Sequence, residues 1–380
     1  MHHSRRGAIN PKHGGTMTFK APIAIASAVL ALSPTLAPAD MILGSWNVRQ
    51  LGWDNGKEVE KVAHVAQSMD LIALQELMDK GALEELVAHL EATTGEAWGA
   101  MASHSLGAGE RYREHYGFVW RLSEVEYAEG AVVFLDHDDV FAREPYSAMF
   151  RDRETGQELA LANLHVIYGD SVSERAREVE TLADYWGWLE EVYPDTPRVL
   201  AGDFNLEPDH EAWGPLRSAG ASPALSRVAT TLAHETGVYR HLYDNFWLNP
   251  NELPISDTGV IPFPTLLGMN HEEARSRVSD HAPIFLATDG AEIQLYAWPG
   301  TDATPTQDVA PSDLSCIDLN ESPEGALEGL PHIGPARAEL VAEGRPWGSV
   351  AALKDIDGLG PARVADIRES GLLCPLSVAG

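Results

Sequence analysis

The chain has 380 residues, 44% of them hydrophobic, and its 57 acidic residues against 27 Lys and Arg give a formal net charge of −30. Length and apolar fraction place it among globular proteins with one large core and room for a small second module. So acidic a surface excludes a general polyanion-binding protein, and any contact with nucleic acid must use metal ions or local cations.

Ala21 to Leu32 is almost entirely apolar, follows Lys20 and leads to Ala37-Pro38-Ala39. This small-x-small pattern marks residues 1–39 as an upstream segment and signal peptide, with Met17 an alternative start. The mature chain is expected to begin near Asp40 and to be secreted or periplasmic. The apolar run is too short to span a bilayer comfortably, no later stretch suits a membrane helix, and a monomer is expected.

Met41 to Val48 reads as a strand and Arg49 to Gly56 as a loop. Val59, Val62, Ala63, Ala66 and Met69 follow helical spacing, and Leu71 to Leu74 returns to a strand. A helix over Ala82 to Ala92 comes next, then strands at Tyr116 to Trp120, Ala131 to Leu135 and Leu159 to Val166. A long amphipathic helix carries Ala176, Val179, Leu182, Trp186 and Leu189 on one face. Strands at Arg198 to Ala201, His241 to Leu248 and Ile284 to Ala287 complete the series. Strands and helices interleave without a regular βα period, which favours mixed sheets over a barrel.

Residues 289–315 dissolve into Pro, Thr, Asp and Gly and read as a linker. Beyond it, Leu330-Pro331-His332-Ile333-Gly334-Pro335-Ala336-Arg337 is echoed by Ile356-Asp357-Gly358-Leu359-Gly360-Pro361-Ala362-Arg363. Each copy has a Gly-containing turn with Pro at the start of a helix, so a duplicated helix-turn-helix unit is expected over residues 316–374. The two cysteines, Cys316 and Cys374, bracket this unit, and in an oxidising compartment they are expected to form one disulfide.

Five apolar runs carry polar tips: Asn47, Gln75-Glu76, Asn163 with His165, Asp203 with Asn205, and Asp280-His281. Phosphodiester hydrolysis needs a cation on the non-bridging oxygens, a base for water and an acid for the leaving oxygen. Glu76 and Asp280 are hard oxygen ligands suited to Mg²⁺, with Ca²⁺ or Mn²⁺ as alternatives. Asn47 offers either a neutral oxygen to the metal or an amide donor to phosphate. His165 and His281 are the acid and base candidates, and Glu114 and Asp244 are candidate carboxylates to fix their tautomers. Asp203 and Asn205 suit orienting water and gripping phosphate.

In this order the motifs Ser45-Trp46-Asn47-Val48-Arg49, Ile72-Ala73-Leu74-Gln75-Glu76, Asn163-Leu164-His165, Gly202-Asp203-Phe204-Asn205 and Ser279-Asp280-His281-Ala282-Pro283 resemble the endonuclease/exonuclease/phosphatase superfamily. Arg111-Tyr112-Arg113-Glu114 and Tyr243-Asp244 resemble its pancreatic-type deoxyribonuclease branch. The resemblance implies an α+β fold over residues 40–288, a four-layer sandwich of two packed mixed β-sheets flanked by helices, with the site at one sheet end. It implies that Glu76 holds the metal with Asp280 and Asn47 nearby, and that His165 pairs with Glu114 and His281 with Asp244. It also implies that Arg49 reaches a DNA phosphate and that Tyr112, beside Arg111, lies against a sugar. Two residues after Glu76 this chain has Met78 where that branch has Arg.

The C-terminal repeat resembles the tandem helix-hairpin-helix module of competence-type DNA receptors. That implies phosphate contacts around Gly334, Arg337, Gly360 and Arg363, although residues 316–374 hold ten acids and five bases. The leading reading is an exported, metal-dependent DNA endonuclease with a small all-α DNA-binding module, RNA being the alternative substrate. Two rivals stay open: a phosphodiesterase or phosphatase acting on sphingomyelin or inositol phosphates, and a DNA-uptake binding protein with a degenerate nuclease domain.

Overall fold

Strand β1 (Ile42–Leu51) is buried on both faces over its first seven residues, as a strand at the centre of a covered sheet must be. The computed structural model describes residues 41–301 and 317–373, apart from 108–111, 227, 289, 321 and 371. The expected signal peptide, Arg111 and the Cys316–Cys374 bridge lie outside the described residues.

Helix α1 (Val59–Ala66) carries the chain from β1 to the parallel β2 (Leu71–Leu77). Helix α2 (Lys80–Thr94), capped by Asp79, leads to β3 (Trp98–Ala102) and β4 (His115–Arg121). An antiparallel run of β5 (Val125–Val133), β6 (Tyr146–Asp152) and β7 (Glu158–His165) follows. Helix α3 (Val172–Val192) then crosses to β8 (Arg198–Asp203), parallel to β7. After α4 (Gly214–Ser218) come the short strands β9 (Ser222–Pro223), β10 (Thr231–Leu232) and β11 (Tyr239–Arg240). The body closes with β12 (Asp244–Leu248), β13 (Ile255–Val260), α5 (Phe263–Leu267), α6 (His271–Arg277) and β14 (Ile284–Thr288).

One six-stranded sheet has the order β13-β14-β1-β2-β4-β3 and the other β5-β6-β7-β8-β12-β9. Each holds one parallel pair at its centre, joined by a helical crossover, with antiparallel neighbours outside. The fold is thus the expected sandwich of two packed mixed sheets flanked by helices. Phe118 on β4 meets Tyr146 and Phe150 on β6 at 5.3 and 5.2 Å between ring centroids, joining the two inner faces. Two buried amides cross the same interface. Gln75 Nε2 donates to Asn163 Oδ1 at 2.8 Å, and Asn163 Nδ2 donates to the carbonyls of Leu74 and Gly117, each at 2.9 Å. Breaking such a buried bond costs about 1–3 kcal/mol, so this pair fixes how one sheet sits on the other.

The structure departs from the sequence reading in several places. The strand expected at Ala131 to Leu135 is the tail of β5, which starts six residues earlier and leaves Leu135 68% exposed. Strands β3, β6 and β13 escaped the reading because Gly, Ser and Asp dilute their apolar pattern, although β6 is almost wholly buried. The strand expected from His241 begins only at Asp244, because His241 stands in the left-handed region at φ 52°. Finally, the expected linker begins as part of the body. Ala291 and Ile293 are buried in the main core, and Trp298 meets the ring of His64 edge-on at 5.0 Å.

The C-terminal unit has its own small core, built on Leu319, Leu327, Ile333, Val341, Leu359 and Ile367. Helices α7 (Glu324–Leu327), α8 (Pro335–Glu343) and α9 (Pro361–Glu369) enclose it with a 3₁₀ turn at Val350–Asp355. Gly334 and Gly360 cap α8 and α9, each followed by Pro at the first helical position. The two halves also match in contact: Arg337 Nη1 donates to His332 O at 2.7 Å and Arg363 Nη1 to Gly358 O at 2.9 Å. Among the described residues no helix is long and apolar enough to cross a membrane.

Candidate active site

Parallel strands end on the same side of a sheet, and their antiparallel neighbours begin there. The ends of β1, β2, β7 and β8 and the starts of β12 and β14 therefore share one edge of the sandwich. Sheet register makes His165, Asp203 and Asp244 neighbours in one row across β7, β8 and β12. Gly202 lets the row form, because a Cβ there would stand 1.9 Å from the carbonyl oxygen of Leu164. On the other sheet, β2 loses register between Leu74 and Leu77, and Glu76 takes φ 58°. Such a bulge re-aims a side chain: Gln75 points between the sheets and Glu76 reaches the edge. Arg49 and Asn205 also have positive φ, at 42° and 50°, each at a cost of about 1–3 kcal/mol.

Two imidazoles converge on one carboxylate oxygen. His165 Nε2 and His281 Nε2 each lie 3.7 Å from Asp203 Oδ2. Behind them, His165 Nδ1 meets Glu114 Oε1 at 2.9 Å and His281 Nδ1 meets Asp244 Oδ2 at 2.8 Å. Glu114 and Asp244 are fully buried, which fixes the orientation of both rings. Asn47 Nδ2 bridges the two sheets at this edge, donating to Glu76 Oε1 at 2.9 Å and to Asp203 Oδ2 at 3.0 Å. Its own Oδ1 accepts from the Arg49 N–H at 2.9 Å. Asn205 donates its backbone N–H to Asp203 Oδ1 at 3.0 Å and its side-chain amide to Val166 O at 2.9 Å, and thereby holds the Asp203 loop.

These contacts set the charges. Burial pushes His281 down, but Asp244 and Asp203 outweigh it and raise its pKa well above the usual value. Burial and Arg143 lower His165, yet Glu114 and Asp203 leave it raised. Burial would raise Asp203, but the two imidazoles and the Asn47 amide hold it below the ordinary carboxylate range.

Arg143 is the residue that sequence reading missed. It donates to the carbonyls of His165 and Val166 at 3.0 and 3.1 Å and lies 3.5 Å from Glu114 Oε1. It stands in a loop without a motif, and only the fold brings it beneath His165.

The donors fit a hard divalent cation, since the acidic groups at the edge offer oxygens and no thiolate stands among the described residues there. Asp203, Asp244 and His281 present ligand atoms within 4.8 Å of one another and form a cluster able to hold a metal ion. In that cluster Asp244 Oδ2 is committed to His281, whereas Asp203 Oδ2 and the neighbouring Glu76 Oε1 both accept from the one side-chain amide of Asn47.

The chain is 42% identical over 360 residues to a deoxyribonuclease of Thioalkalivibrio sp. (strain K90mix), spanning 92% of this chain and 97% of that one. The chain belongs to the deoxyribonuclease family. It is also 27% identical over 241 residues to deoxyribonuclease-1-like 1 of Sus scrofa, spanning 60% of this chain and 73% of that one. A solved endonuclease/exonuclease/phosphatase family protein from Bacteroides thetaiotaomicron superposes with a TM-score of 0.50 at 18% identity, over 66% of this chain and 98% of its own, and shares the fold. No family model matches the sequence. As a member of the deoxyribonuclease family the protein is an enzyme, a phosphodiesterase of the nuclease kind.

Of the remaining expected residues of this deoxyribonuclease-family chain, Arg49, Tyr112 and Asp280 lie around the rim. Asp280 faces two guanidinium groups, Arg49 Nη1 at 3.3 Å and Arg275 Nη2 at 3.5 Å, which would compete with any cation for its carboxylate. Burial and the nearby carboxylates of Glu76 and Glu114 push the Tyr112 hydroxyl up. The turn before Gly334, with Arg337, closes one side of a cavity of about 640 Å³ whose other wall includes Tyr168, Arg175, His241 and Tyr243. Gly360 and Arg363 lie in the second half of the C-terminal unit, outside that cavity's lining.

Proposed function

We propose that the protein is a metal-dependent endonuclease that hydrolyses phosphodiester bonds in DNA. The observation that carries this reading is the convergence of two carboxylate-backed imidazoles on Asp203, each at 3.7 Å. Each ring is held at Nδ1 and presents Nε2 to the same space. One imidazole takes a proton from the attacking water as the new P–O bond forms. The other gives its proton to the leaving sugar oxygen as the old P–O bond breaks. Asp203 remains an anion between them and orients the water, and Arg143 and Glu114 hold His165 in place. Glu76, with Asp203 and Asn47 beside it, would hold Mg²⁺, which when bound supplies positive charge to the phosphate oxygens.

We also propose that the C-terminal unit is a helix-hairpin-helix tether for long DNA. Its support is the matched pair of Gly-Pro-Ala-Arg turns and the cavity that the first turn shares with Tyr243, the residue before Asp244. The natural test is an assay on plasmid DNA, RNA, sphingomyelin and inositol phosphates. Cleavage of DNA is expected with Mg²⁺, loss with EDTA and recovery when Mg²⁺ returns. Full cleavage in EDTA would remove the metal, and hydrolysis of the lipid or inositol substrates alone would remove DNA. Because residues 291–298 belong to the body, truncation belongs after residue 301. The truncated enzyme is expected to lose rate on plasmid relative to a short duplex at low salt. An unchanged ratio would show that the unit is not a tether.

A further inference from the structure

Trp53 is an exposed aromatic residue with a fixed position. It is 43% exposed and is the one Trp among the exposed large hydrophobic residues described. Its turn is not a loose one: Asn55 N donates to Trp53 O at 2.8 Å, and Asn55 Nδ2 donates to Gln50 O at 3.0 Å. Gly52, at φ 100°, packs so closely on the start of α2 that a Cβ would meet Asp79 at 2.9 Å. The indole meets the ring of Tyr112 edge-on, 5.8 Å between centroids at 81°, and burial with the nearby Glu76 and Glu114 carboxylates pushes the Tyr112 hydroxyl up. An exposed ring, fixed at an angle by a second ring, thus stands one residue away from a carboxylate of the site. Arg49 and Lys57 flank the same turn, Arg49 beside Asp280 and Lys57 donating to Val278 O at 2.9 Å.

An indole 43% exposed to solvent, next to cations and a phosphodiester site, has the chemistry to stack a base. A base inside a duplex has both faces covered by its neighbours, so only an unpaired base can use it. We propose that Trp53, braced by Tyr112, is a nucleobase-stacking platform that holds single-stranded or locally unpaired nucleic acid beside the catalytic edge. This rests on the nucleic-acid reading above and adds to it a residue that sets strand preference.

The test pairs two deletions, the ring from the protein and the base from the substrate. Wild type, Trp53→Ala and Trp53→Phe are assayed on oligothymidylate, on an abasic oligonucleotide of the same length and on a duplex. Trp53→Ala is expected to raise KM for oligothymidylate roughly ten-fold or more. On the abasic strand it should change nothing, and on the duplex much less. Trp53→Phe should retain most of the wild-type KM. Equal effects on the base-bearing and abasic strands, or a KM for oligothymidylate within two-fold of wild type, would overturn the platform and leave the nuclease intact. An enzyme that cleaves duplex but no single strand would overturn it as well. Failure of wild type on all three substrates would instead overturn the nucleic-acid reading, and the platform with it.

Discussion

Replacing His281 or His165 with Ala is expected to lower turnover by roughly 10²–10⁴-fold, the usual contribution of a positioned proton carrier. The two variants should differ in stability, because their buried carboxylates differ in what remains. Without His165, Glu114 keeps Arg143 at 3.5 Å. Without His281, the Asp244 carboxylate is left with the repulsion of nearby Asp203 and no cation paired to it, and Thr230 Oγ1 accepts from its backbone N–H at 3.2 Å. An uncompensated buried carboxylate costs about 3–5 kcal/mol at most and less once it takes up a proton. His281→Ala should therefore show the larger drop in denaturant midpoint at neutral pH, and part of that drop should be recovered at lower pH, where Asp244 is protonated. Single-turnover rates and urea titrations of both variants check this. Near-normal turnover in either variant would remove that histidine from the chemistry, and equal stabilities would remove the account of its carboxylate.

Asp203→Asn is expected to lower turnover by about 10²–10³-fold while leaving the fold in place. The Asn side chain keeps an acceptor for the Asn205 N–H, which Asp203 Oδ1 now receives at 3.0 Å. Its NH₂ then faces three groups that the carboxylate served together: Asn47 Nδ2 at 3.0 Å and the two imidazole Nε2 atoms at 3.7 Å. With the anion gone, both imidazoles lose one of the charges that raise them, so their titration should move to lower pH. NMR titration of the two histidines, beside turnover, separates this role from a loop-shaping one. A variant that keeps its rate but loses thermal stability would leave Asp203 only the structural part.

Local pattern revealed much of this arrangement. Apolar runs placed β1, β2, β7, β8, β12 and β14 near their observed positions, and the polar tips supplied Asn47, Glu76, His165, Asp203 and His281. The pattern did not show what each tip faces. Gln75 and Asn163 stand in two of the motifs, yet a register break beside Glu76 turns Gln75 inward, and the pair ties the sheets together. Asp280 has the chemistry of a metal ligand, but two arginines from separate elements converge on it. Arg143 lacked any sequence signal, since its partners His165 and Glu114 lie 22 and 29 positions away in the chain and meet it only across the folded sandwich.

The sequence by itself determined most of the central strands, the longer helices and the chemical groups at their ends, because side-chain periodicity and turn chemistry act over a few residues. Tertiary structure alone decided which groups meet. Asn47 and Asp203 are 156 residues apart and share a hydrogen bond because two parallel pairs on facing sheets end at the same edge. Sheet register and the packing of one sheet on the other set that distance, and both depend on contacts between residues far apart in the chain.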